Sequence, residues 1–226
     1  MKPTQMKLTL RVLARLLQYP DAELRGHLPA LRDALHDERA LTDGRLANVD
    51  VLIDRLQRLP ALRAEAEYVD LFDRGRRTAL HLFEHVHGDS RDRGPAMIDL
   101  ARTYAAAGLV LAPGELPDHL GVAIEYASTQ PPAHARAFLR EIAHIVRVIF
   151  SAVLEHRSAY AGVLAALLDL AGEKAQAVEL DDEPALDDTW AEPAAFGGCS
   201  TAGQARPGEP QPIQIVRKSN PTGVSA

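Results

Sequence analysis

Apolar residues recur along most of this chain at three- and four-residue intervals, the signature of helices that each bury one face. Leu8, Leu10, Val12, Leu13, Leu16 and Leu17 form the first such stripe, which Pro20 ends and after which Asp21 can cap a new helix. A second helix, or a pair kinked at Pro29, runs to about Ala40 on Leu24, Leu28, Leu31 and Leu35. A third covers roughly Asn48 to Leu59, and a fourth about Leu62 to Phe72, with Tyr68, Leu71 and Phe72 on one face. The pattern then predicts a fifth helix over Thr78 to His87 and a sixth over Ala96 to Ala107, with Pro95 at its first turn. Pro117 opens a helix to about Ser128, and the longest helix follows from about Ala133 to His156. A last one, Ala159 to Leu170, closes an all-α, single helical-bundle domain over residues 1–172.

After Gly172 the pattern stops. Glu179 to Asp188 carries six acidic residues and no basic one, and Gly, Pro, Ser and Ala prevail from Glu192 onward. Such a segment cannot bury enough apolar area to offset its ordering entropy, so residues 173–226 are expected to form a disordered tail. Trp190 and Phe196 are its exceptions, able to dock transiently.

Composition narrows the function. A net charge of −6 argues against a general nucleic-acid binder. The single cysteine, Cys199, rules out an internal disulfide and any multi-cysteine metal site. Charges at Lys7, Arg11 and Arg15 interrupt the N-terminal apolar run, and no stretch reaches membrane-spanning length, so a cytoplasmic protein without stable membrane insertion is expected.

The densest chemistry lies between Tyr68 and Glu125. Acidic residues (Asp70, Asp73, Glu84), arginines (Arg74, Arg76, Arg77, Arg91, Arg93) and histidines (His81, His85, His87) alternate there with Leu71, Phe72, Leu80, Leu82, Phe83 and Val86. That mixture fits either an apolar groove with a polar rim or a charged helix–turn–helix on the surface. Two Glu-x-x-His pairs, Glu84/His87 and Glu141/His144, have the ligand spacing of di-iron bundles. On the helical wheel, however, Glu141 and His144 lie ~100° and ~160° from the apolar stripe and Glu84 lies ~140° from its own, so both pairs point outward. No nucleophile elbow or phosphate-cradling loop is present, and neighbouring Asp118 and His119 diverge by ~100° if helical, so they do not form a dyad.

The segment FDRGRRTALHLFEHVHGDSRDRGPAM (Phe72 to Met97), followed by ELPDHL from Glu115, resembles the NarJ family, the dedicated assembly chaperones of respiratory nitrate reductase. That family belongs with the TorD and DmsD redox-enzyme maturation chaperones. The resemblance runs from LARLLQYPD (Leu13 to Asp21) to about Leu170, with a looser echo at Trp190 and Gly198-Cys199. It implies a TorD-like helical fold, no catalysis and no cofactor of the chain's own. The implied partner is the N-terminal leader of the nitrate reductase catalytic subunit, bound while molybdenum cofactor and iron–sulfur cluster are inserted. The rival readings are a chaperone for a dimethyl sulfoxide or trimethylamine oxide reductase, and a metal-dependent helical enzyme.

Within this resemblance the turn Glu115-Leu-Pro117-Asp118-His119 is the hallmark associated with leader capture. Asp70, Asp73, Glu84, Glu115, Asp118 and Glu125 are expected to form an acidic rim for a basic leader, and Leu71, Phe72, Phe83 and Tyr126 an apolar face. Tyr68, His85, Arg91 and Arg93 complete the expected peptide site, the arginines chiefly as partners of Asp73, Asp89 and Asp92. The chain is expected to act as a monomer or weak dimer.

Overall fold

The computed structural model describes residues 5–88 and 90–180. The chain divides into two units, Met1–Glu183 and Pro184–Ala226, and the described residues belong to the first. Trp190, Phe196, Cys199 and most of the acidic tail therefore lie outside them.

Nine helices occur among the described residues: α1 Lys7–Leu16, α2 Ala22–Glu38, α3 Asp43–Arg58, α4 Ala61–Phe72, α5 Leu82–Val86, α6 Arg93–Ala106, α7 Leu120–Thr129, α8 Pro132–Glu155 and α9 Ala161–Ala171. The architecture is all-α. Six helices pack in a closed circuit, α1–α2–α3–α9–α8–α7 and back to α1, with α1 also touching α9 across the middle. Leucines fill that centre. Leu10, Leu13, Leu16, Leu17, Leu24 and Leu28 are all fully buried, as are Ile124, Ile149 and Leu164.

Local chemistry explains most boundaries. Asp21 caps α2 by accepting the Leu24 N–H at 2.7 Å. Thr42 caps α3, which begins five residues before the expected Asn48 because Asp43 and Gly44 are taken into the first turn. Pro29 leaves α2 unbroken rather than dividing it. Gly162 fixes the α3–α9 approach, since a Cβ there would stand 2.8 Å from the Asn48 carbonyl oxygen.

Two predicted helices are corrected. The fifth shrinks to the five residues of α5, because Thr78 turns its hydroxyl back to the carbonyls of Leu71 and Gly75 and ends the regular backbone. Ala79 and Leu80 are then buried outside any helix. The seventh does not start at Pro117: His119 is its N-cap, and Pro117 and Asp118 sit in the preceding turn. The reason is a short antiparallel bridge between His81 and His119. Leu82 donates to the Asp118 carbonyl at 2.9 Å and Leu120 to the Leu80 carbonyl at 2.8 Å, which holds His119 extended and keeps Pro117 and Asp118 in their turn.

Beyond α9, Glu173 pairs with Arg147 at 2.8 Å and the Val178 N–H donates to Ser151 Oγ at 2.9 Å, so residues 173–178 run back along α8.

Candidate peptide-binding site

The bridge between His81 and His119 brings the two ends of the charged region together. Asp118 lies directly behind it and is completely buried. Its carboxylate accepts the Phe83 N–H at 3.3 Å, faces His81 Nδ1 at 3.4 Å and lies 3.6 Å from the Arg93 guanidinium. Arg93 also reaches Glu84 at 3.4 Å. Burial alone would raise the Asp118 carboxyl, but the His81 bond and charge, the Phe83 N–H and Arg93 together hold it below the usual carboxylate value. The same bond to Asp118 raises His81 against the opposing effect of its burial.

Asp118 is thus not a rim residue, as the sequence reading expected. It is the internal pin that fixes the turn. Arg93, expected to pair with Asp73, Asp89 or Asp92, reaches inward to Glu84 and Asp118, since α6 begins at Arg93 and turns its first residue toward the bridge; Asp89 lies outside the described residues.

His119 has a separate role. Its Nδ1 accepts the Gly121 N–H at 3.2 Å and caps α7, which requires the neutral ring. Burial, and then the positive charge of His81, hold it down to about 4. The two rings meet edge to face at 5.3 Å. His85 Nε2 bonds the Ala79 carbonyl at 2.9 Å.

Two aromatic groups flank this core. Tyr104 donates its hydroxyl to the Pro117 carbonyl at 2.9 Å and stacks on Tyr126 at 4.8 Å, which in turn meets Phe138 at 5.0 Å. On the other side Tyr68 lies between Tyr19 and Phe72, at 5.8 and 4.9 Å, and donates to the Leu17 carbonyl at 2.7 Å. Tyr68, Leu71 and Phe72 are buried and belong to the core, so the apolar face they were expected to offer is largely used in holding α4 to α1 and Tyr160.

What remains open is an acidic margin. Asp73 is exposed and lies close enough to influence Tyr19, Tyr68 and His119, while exposed Glu115 influences Tyr68. Tyr19 is 45% exposed and donates to Glu65 at 3.1 Å. Tyr19, Glu65, Asp73, Glu115 and His119 therefore share one electrostatic neighbourhood, and Phe83 and Tyr126 are half-buried. Arg91 and Glu125 are exposed, and among the described residues no ion pair or side-chain hydrogen bond joins either of them to Asp118. Asp70 pairs with Arg74 at 3.0 Å on the outer face of α4.

The sequence reading missed Tyr19, Tyr104 and Glu65, and counted His81 only among the histidines of the charged region. Tyr19 had a signal, since it stands inside the LARLLQYPD segment. Tyr104 had none, because only the fold carries it to Pro117. Glu141 and His144 are both exposed, pointing outward as their helical phase requires. Among the described residues no three His, Cys, Asp or Glu side chains gather in a group that could hold a metal ion.

Comparison with known proteins fits this arrangement. Residues 18–166 match the model of a family described as nitrate reductase delta subunit. The chain is 39% identical over 193 residues to the nitrate reductase molybdenum cofactor assembly chaperone NarJ of Escherichia coli K12, covering 81% of this chain and 82% of that protein. It is 36% identical to the related chaperone NarW of the same strain, over 81% of this chain and 80% of NarW. A redox enzyme maturation protein from Archaeoglobus fulgidus shares the fold, with a TM-score of 0.52 and 21% identity over 74% of this chain and 94% of that one. A match running from Gln18 to Ala166 takes in the Tyr19–Tyr68 contact, the His81–His119 bridge and the Asp118 pin alike, and on that ground the chain belongs to the NarJ family, a family of assembly chaperones rather than enzymes.

Proposed function

We propose that this chain is an assembly chaperone for a respiratory nitrate reductase, and that it binds the N-terminal leader of the catalytic subunit. The observation that carries the reading is the 39% identity, over four-fifths of both chains, to a nitrate reductase molybdenum cofactor assembly chaperone. The site's electrostatics support it. A leader that combines basic residues with an apolar helical stretch would set its cations against Asp73, Glu115 and Glu65, and its apolar side chains against Tyr19, Phe83 and Tyr126. Bound there, the leader is withheld from the membrane while molybdenum cofactor and iron–sulfur cluster enter the open catalytic subunit. The chaperone then leaves. The chain works in the cytoplasm in this account; no helix among the described residues is long and apolar enough to cross a membrane.

The test is a deletion of this chain in its native host, followed by metal analysis of the purified nitrate reductase. The expected result is catalytic subunit that accumulates with little molybdenum and regains it when the chain is restored. Fully loaded enzyme in the deletion strain would contradict the proposal.

A further inference from the structure

Past α9 the chain continues as a strap along α8. Glu173 pairs with Arg147 at 2.8 Å, and further on the Val178 N–H donates to Ser151 Oγ at 2.9 Å, so strap and helix run in the same direction. Leu180, where the described residues end, is half-buried. The acidic run starts at this point: Glu179, Asp181, Asp182 and Glu183 crowd their carboxylates together with no basic residue among them. All four fall in the same compact unit as the helices. Carboxylates so close in sequence repel one another unless cations stand near.

Cations stand ahead of the strap. Arg157, just beyond the end of α8, lines a trough of about 770 Å³ between α3, α4 and the α8–α9 turn, as do Arg58 and His156. Arg157 is exposed and has no ion-pair partner among the described residues, and Arg58, 76% exposed, reaches Asp54 only at 3.6 Å. The acidic groups of the trough are already engaged, Glu67 by Arg55 and Arg63, and Asp70 by Arg74. Glu155, exposed on the last turn of α8, is not on the lining. The uncommitted charge on the trough is therefore positive. Arg157 also holds a left-handed φ of +51°, where glycine is favoured, so this cation is kept at a cost in backbone strain.

Reach and direction agree with charge. From Ser151 to Arg157 the helix and its cap advance ~9 Å, at ~1.5 Å per residue. Three residues of extended chain beyond Val178 span ~10 Å. Asp181, Asp182 and Glu183 thus come level with Arg157 on the strap's own heading.

We propose that Asp181, Asp182 and Glu183 close over the cationic rim of this trough and pair with Arg157 and Arg58, so that the chain's own acidic run shields that surface from other anions. The rim alone is used; Leu52 and Leu56 beneath it are buried in the core. The pairing would also fasten the strap across the end of α8.

The test uses the full chain. Arg157→Lys keeps the cation and supplies a primary amine, which a carbodiimide joins only to a carboxylate in direct contact. Mass spectrometry of the digest should show position 157 coupled to Asp181, Asp182 or Glu183, and ~1 M salt, with its Debye length of ~3 Å, should suppress the coupling. Leu62→Lys, 81% exposed and off the trough, should couple to the same run at least roughly tenfold less. In a mixture of isotopically light and heavy chains the coupled peptides should come from one chain. Shielding is read on immobilised heparin. Asp181→Asn/Asp182→Asn/Glu183→Gln should elute at higher salt than the charge-matched Asp187→Asn/Asp188→Asn/Glu192→Gln, and the two should elute alike once Arg58→Gln/Arg157→Gln is added to both. The proposal is overturned by no coupling at position 157, by equal coupling from position 62, by coupling between chains, or by equal elution of the two neutralised variants with both arginines in place.

Discussion

The imidazole of His81 stands 3.4 Å from the carboxylate of Asp118, a pair drawn from two loops and enclosed so that the carboxylate has no exposure at all. That one contact ties the start of α5 to the cap of α7, and it decides how variants of this turn behave.

Asp118→Ala should act on folding before it acts on binding. It leaves the Phe83 N–H unsatisfied and His81 and Arg93 without their buried partner, a loss of about 2–4 kcal/mol. Denaturant unfolding checks the magnitude. An NMR titration of His81 should show its pKa falling back toward the ordinary histidine value.

The pH dependence has a definite sign. With His119 held down to about 4, the unfolded chain takes up a proton near pH 6.5 that the folded chain refuses until about pH 4, so stability falls as the pH drops through that window. Asp118, whose folded pKa is lowered, contributes stability above its unfolded value and loses it as the pH falls through the folded one. His81, whose folded pKa is raised, contributes fully below its unfolded value and loses that contribution as the pH rises through the folded one. His119→Asn keeps a capping acceptor for Gly121 and removes the acid penalty, so its unfolding free energy should change less between pH 7 and pH 5 than that of the unmodified chain.

Gly162→Ala should destabilise the bundle although alanine is the better helix former. The added Cβ would meet the Asn48 carbonyl oxygen at 2.8 Å, and pushing α9 off α3 costs about 1–3 kcal/mol. Thermal unfolding gives the answer. A rise in melting temperature would refute the close approach.

Tyr104→Phe removes the hydroxyl that holds the Pro117 carbonyl and should cost about 1 kcal/mol. The local signature is faster amide hydrogen exchange at Leu109 and His119, whose N–H groups are bonded within this loop, with exchange in the α8–α9 pair unchanged.

The fold was legible in the sequence wherever helical period and capping chemistry agreed, as at Asp21 before α2 or along the stripe of α8. It was illegible around Thr78 and Pro117, where a side-chain bond to Leu71 and a two-residue bridge between distant loops override local helix preference. The site divided in the same way. Asp73, Glu115 and His119 could be read from charge and motif, but that Asp118 faces inward depends on the bridge, and nothing in the spacing of charges tells a rim carboxylate from a buried one. Tyr104 illustrates the remainder: its partner is thirteen residues away and chosen by the turn of the chain, not by any pattern.

The central claim is most directly tested by titration calorimetry with a peptide of the first ~15–20 residues of the cognate catalytic subunit, long enough for one amphipathic helix. The comparison pairs the unmodified chain with Asp73→Asn/Glu115→Gln, two exposed changes that leave the Asp118 pin intact. The account predicts one-to-one binding at micromolar affinity or tighter, weakened at least tenfold and made less salt-dependent in the double variant. Absence of binding, or equal binding by the double variant, would contradict it.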